Sequence, residues 1–226
     1  MTSYSGSFPP GPEPPGRSGT PAIATRNPHD VDGTPGGPAP TSIPGRRWHH
    51  GVMVSLSGFP RSKRPHRIPP EPGQESVWDY PRPPRVEARS ERILVRLGGH
   101  VIADTVDSVR VLETSHPPVY YLPFDAFAPG VLVPVDGATF CEYKGMAGYF
   151  DVAAGGLVAS RAGWTYPEPS RGFEALRIRV ALYPGRMDSC EVDGEQVTPQ
   201  DGNFYGGWIT RNIVGPFKGA PDTAGW

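Results

Sequence analysis

The chain has 226 residues, with 22 Lys and Arg against 23 Asp and Glu, a formal net charge of −1 and a pI near 6.6. That balance gives no electrostatic reason to expect a polyanionic partner, so no nucleic acid is expected. No run approaches the ~18 apolar residues of a membrane span, and the N-terminus lacks a basic-then-apolar leader, so no membrane association is expected and the protein reads as soluble and cytoplasmic.

Residues 1–45 hold 11 Pro and 8 Gly and almost no aliphatic run, too little apolar surface to offset the entropy of ordering. Residues 1–57 are expected to be a disordered Pro/Gly-rich tail. Basic residues Arg61, Lys63, Arg64, His66 and Arg67 follow, broken by prolines and trailed by Glu71 and Glu75, which suits a solvated linker. Residues 58–86 form a Pro-rich arm, whose prolines argue against a central strand. Trp78 and Tyr80 are too large and apolar for a free linker, so the arm is expected to dock through both rings.

A β domain is expected over residues 87–219, with a short C-terminal tail over 220–226. "RILVRL" alternates, and Gly98-Gly99 supplies a tight hairpin into "HVIADT". "SVRVLE" and "VYYL" follow, then "PFDAFAPG" as one helical turn. "TFCEYKG" and "GYFDVAAGG" read as strands joined through Lys144-Gly145. "SRGFEALRIRV" has helical period for a turn or two. "VALYP", "SCEVDGEQV" with its Asp193-Gly194 turn, and "FYGGWIT" complete the series. Turn signals recurring about every 8 to 12 residues predict a single, mainly antiparallel, all-β domain.

Chemistry-bearing residues concentrate in "LETSHPPVYYLP". In an extended segment Glu113 and His116 project to opposite faces, so an acid/base pair there needs a bend, which Pro117 is placed to provide. The other reading is that these groups satisfy turn backbone. His116 and Tyr120 are expected to share a face, with Tyr121 opposite. In "TFCEYKG", strand alternation sets Phe140, Glu142 and Lys144 on one side. There they form a surface row, or they point into a cleft where Lys144 meets an anion. Adjacent aromatic pairs must place one ring on each face of a strand, so some rings line a second surface suited to a small molecule. Tyr120, Lys144, Tyr149, Trp164, Tyr166, Tyr205 and Trp208 are the candidate ligand-binding residues; His116, Glu113 and Glu142 are the catalytic candidates. Gly206-Gly207 reads as a β-bulge or a mobile flap.

The only cysteines, Cys141 and Cys190, form no CxxC, so free thiols, no metal site and no cofactor are expected, although His100 and His116 could complete a ligand set.

In order, "SVWDYPRPPR", "VLETSHPPVYYLP", "TFCEYKG", "GYFDV", "WTYPEPSRGFEALR", "YPGRMDSCEVDGE" and "FYGGWITRNIVGPFKG" resemble the bacterial and fungal family called domain of unknown function 427, in an actinobacterial-type form. The likeness runs from Ser76 to Gly219. It implies a compact sheet similar to the β-tent, the architecture of methionine sulfoxide reductase B and of the thalidomide-binding domain of cereblon. The zinc knuckles of that wider fold are absent here. The family sometimes carries a nucleotidyltransferase label, but the glycine-serine and paired aspartates that hold Mg²⁺ in such enzymes are absent too. Resemblance therefore supplies the fold and leaves activity open.

The residues support two functions: a module binding an unidentified small, flat or cationic ligand between aromatic walls, or a metal-independent enzyme using His116 with Glu113 or Glu142 as acid and base. A structural or interaction domain is the third reading. Deleting residues 1–52 should shift the melting temperature by less than about 3 °C, roughly a kcal/mol; a larger fall in a thermal melt would mean that the tail packs.

Overall fold

The computed structural model describes residues 65–202, 204–223 and 226. The expectations for residues 1–57, for the start of the arm and for Arg61, Lys63 and Arg64 lie outside these. The strands are β1 (Glu75–Ser76), β2 (Arg85–Arg89), β3 (Ile93–Leu97), β4 (His100–Thr105) and β5 (Ser108–Leu112). Next come β6 (Val119–Pro123), β7 (Leu132–Cys141), β8 (Gly145–Ala154), β9 (Leu157–Thr165) and β10 (Arg179–Leu182). Short strands end the chain: β11 (Ser189–Val192), β12 (Glu195–Gln196), β13 (Thr198–Pro199), β14 (Trp208–Ile209) and β15 (Ile213–Val214). Helical structure among the described residues is limited to 3₁₀ turns, so no helix there is long and apolar enough to cross a membrane.

Seven strands form one antiparallel sheet in the order β2-β5-β6-β10-β9-β8-β7. A four-stranded antiparallel sheet, β12-β11-β3-β4, covers one face. Between them lies the main core, which includes Ile93, Val95, Leu97, Ile102, Leu122, Val152, Val180, Leu182 and Trp208. The mainly antiparallel, all-β expectation holds. Period-2 alternation then divides β6: Tyr120 and Leu122 enter this core, while Tyr121 enters a second cluster on the opposite face with Trp164, Tyr166 and Ala181.

Both glycine hairpins form as read. Gly98 and Gly99 have φ of 59° and 76°, and Asp193-Gly194 turn with φ of 49° and 78°. The β3–β4 tip also meets the β8–β9 tip: a Cβ at Gly98 would overlap the Ala154 carbonyl, and one at Gly155 would overlap the Gly98 carbonyl.

Three sequence expectations need correction. The large sheet begins with β2 at Arg85 rather than at residue 87, and β2 pairs as an edge strand, the position that tolerates the preceding prolines. Strands β7 and β9 run through segments not read as strand. Pro134 hides the first by lying on the other sheet edge, and β9 is rich in small residues. Finally, β7 ends at Cys141, so Glu142 and Lys144 occupy a turn and the expected strand row with Phe140 does not form.

Tyr80 and Val77 are buried with Leu112 and Ile213, and Trp78 packs beside them while donating its indole N–H to the Pro216 carbonyl at 2.8 Å. Beneath this arm, Arg110 of β5 is 5% exposed. Its Nη1 donates to Glu75 at 2.5 Å and its Nη2 to Glu87 at 2.8 Å, tying β1 to the sheet and bracing the edge strand β2 against β5. Burial works against the guanidinium charge, but the hydrogen bonds to Glu75 and Glu87 outweigh it and hold its pKa above the ordinary arginine range. Arg110→Ala would leave the partly buried Glu75 carboxylate unpaired and Glu87 with only Arg85, and should cost about 3 kcal/mol or more. Arg92→Ala, at an exposed pair with Asp104, should cost far less, because solvent screens that pair. Chemical denaturation of both variants tests the contrast.

Candidate functional site

The face of the large sheet away from the four-stranded sheet carries a cavity of about 500 Å³. Its floor follows from strand alternation: Val111 of β5, Tyr121 of β6, Ala147 and Tyr149 of β8 and Trp164 of β9 all project to this side. The Trp164 indole N–H donates to the Tyr121 hydroxyl at 3.2 Å, and its ring lies 4.5 Å from that of Tyr183. Tyr166 and Cys141 lie alongside. Burial, with Tyr121 and Cys141 nearby, pushes the Tyr166 hydroxyl above its usual range, so it remains a neutral phenol. Gly206 lies flat on Trp164, and a Cβ there would overlap the indole's six-membered ring. The glycine therefore serves close approach; its φ is not positive, and it lies in neither a strand nor a bulge. Phe140 and Phe204 stand at the mouth, 73% and 79% exposed.

The polar end comes from two turns. In the first, Ser115 adopts φ of 73°, and the His116 N–H donates to the Glu113 carbonyl at 3.0 Å. Ser115 supplies the bend expected of Pro117. Thr114 Oγ1 donates to the Tyr80 carbonyl, and Ser115 N–H to the Val77 carbonyl, so the docked arm holds the turn in place. Glu113 and His116 thereby reach the same cavity despite their odd spacing. The second turn joins β7 to β8 and brings in Glu142, Tyr143 and Lys144. Lys144 Nζ lies 3.9 Å from the Glu113 carboxylate and 6.0 Å from the Tyr166 ring centre.

His116 is 7% exposed, and its ring meets Tyr205 edge-on at 4.5 Å. Nδ1 lies 3.0 Å from the Thr114 carbonyl, which can only accept, so the proton sits on Nδ1 in the neutral ring. Nε2 is then a lone-pair acceptor, and it has no partner among the described residues. Both earlier readings are present in one residue: one nitrogen satisfies turn backbone, and the other is unspent.

Of the residues expected from sequence, Glu113, His116, Glu142, Lys144, Tyr149, Trp164, Tyr166 and Tyr205 all line the cavity. Tyr120 and Trp208 do not. They pack on each other in the main core, ring centres 5.2 Å apart. For Tyr120 the cause is phase: His116 belongs to the turn, so alternation starts at Pro117, and Pro117, Val119 and Tyr121 face the cavity. Tyr121 and Tyr183 were the missed wall residues; counting from Pro117 would have found the first. No group of three His, Cys, Asp or Glu side chains among the described residues is arranged to hold a metal ion.

Burial lowers the His116 pKa below its usual value, partly opposed by the Glu113 charge. A depressed folded-state pKa means that the unfolded chain takes up the proton first as pH falls. Stability should therefore be full above about pH 6.5 and decline below it, toward the lower folded-state value. In His116→Gln that component of the decline should vanish. Parallel denaturation curves from pH 8 to 5 check this, and unchanged pH dependence in the variant would contradict it.

No curated protein matches the sequence closely enough to be named as a relative. Residues 85–193, which carry β2 to β11 and most of the cavity, match the family model described as Domain of unknown function (DUF427), in support of the resemblance read from the motifs.

Proposed function

We propose that this domain binds a small, flat organic molecule in the aromatic-walled cavity. The observation that carries the reading is the wall itself: Tyr121, Tyr149, Trp164, Tyr166 and Tyr183 enclose space that no side chain among the described residues fills. A well-packed core avoids such voids, since unfilled volume forfeits dispersion contacts. Apolar walls with a few convergent polar groups are the usual make-up of a ligand site, and about 500 Å³ falls within the ~300–1,000 Å³ range of such sites. The polar groups sit at one end, so they would orient a ligand whose body stacks on the rings.

A second reading is favoured by one observation. The unpartnered Nε2 of His116, kept neutral by burial and lying near the Glu113 charge, has the properties of a general base. The chain would then be a metal-independent enzyme, with binding as its first step. A nucleotidyltransferase reading rests on a family label alone, and the sequence lacks that chemistry's metal-holding motif.

Ligand-observed NMR against a fragment library, with native mass spectrometry for co-purifying molecules, tests the binding reading. Flat aromatic fragments should bind the wild type. Ala147→Phe, which places a ring in the cavity, should remove that binding while the domain stays folded. Fragment binding that survives the substitution, or no binding at all, would defeat the proposal.

A further inference from the structure

The polar end of the cavity holds charges of both signs that are poorly used. Lys144 and Glu113 are the nearest opposed pair, with side chains only 12% and 24% exposed. Their 3.9 Å separation is longer than a hydrogen bond, so neither charge is committed to the other and both stay free to bond an occupant. His116 adds a buried acceptor with no donor. These groups set requirements on an occupant. A lone anion reaching Lys144 would face the Glu113 and Glu142 carboxylates, and a lone cation reaching Glu113 would face Lys144. A ligand carrying both charges on groups that share one carbon meets neither penalty and brings no net charge into the cavity.

An ammonium group has three N–H donors, which suits the two oxygens of the Glu113 carboxylate. A carboxylate suits Lys144. The remaining volume is bounded by rings, which suits an apolar or aromatic body. We propose that the occupant is a free α-amino acid with an aromatic or large apolar side chain. Its carboxylate lies on Lys144, its ammonium on Glu113, and its side chain against Trp164 and Tyr166. This rests on the binding function proposed above and names its ligand class.

Isothermal calorimetry on the full chain with L-tryptophan, tryptamine and indole-3-propionate tests the assignment, because the last two each lack one charged group. Tryptophan should bind at least about tenfold more tightly than either, the effect of losing one charge-assisted hydrogen bond. Glu113→Gln should weaken tryptophan and tryptamine and leave indole-3-propionate unchanged or tighter. Lys144→Met should weaken tryptophan and indole-3-propionate and spare tryptamine. Tryptamine or indole-3-propionate binding as tightly as tryptophan would overturn the proposal, as would both substitutions weakening all three compounds alike. Should either variant fail to fold, the ranking of the three compounds on the wild type decides alone. Binding of neutral flat fragments without any of the three would remove the amino-acid assignment and leave the binding function standing; no binding of any compound removes both.

Discussion

Everything in this domain hangs on a sheet buried on both faces at its centre. β5 is buried along its whole length and β6 nearly so. Because a strand's side chains alternate, each such residue is committed to one of two interiors. One interior is closed by a second sheet and filled. The other is closed by turns and loops and stays partly hollow. The hollow is a property of what covers the sheet: two turns and the loop through Gly206 span the rings without filling the space between them.

The same logic explains why polar groups gather at one end. Two turns leave the sheet there, one after β5 and one between β7 and β8. Turns are where a side chain escapes strand alternation, and Ser115 in the left-handed region is what lets Glu113 and His116 converge. The arm through Tyr80 and Val77 accepts hydrogen bonds from this turn, while Arg110 ties the arm's own Glu75 to β5. Architecture that looks peripheral in the sequence is thus a support for the site.

Much of the fold was legible because its signals are local. Gly98-Gly99 and Asp193-Gly194 name their hairpins outright, and the alternation of "RILVRL" announces β3. What stayed hidden depended on tertiary context. Pro134 is admissible only because β7 is an edge strand, and edge position is not written locally. Cavity membership was largely legible too, since eight of the ten residues expected at the site line it. Trp208 sits in a two-residue strand that alternation cannot phase, and Tyr120 failed because the phase is reset wherever a turn ends, which a sequence does not state. His116 lay on that boundary.

The meeting of Gly98 with Gly155 carries a consequence for how this sequence can vary. Each hairpin tip presents bare backbone to the other, both residues have positive φ, and neither has room for a methyl group. Two turns distant along the chain, one from each sheet, are therefore each fixed by the main chain of the other. Because the obstacle is main chain, a change at one tip gives no relief at the other, and each position by itself excludes every residue but glycine.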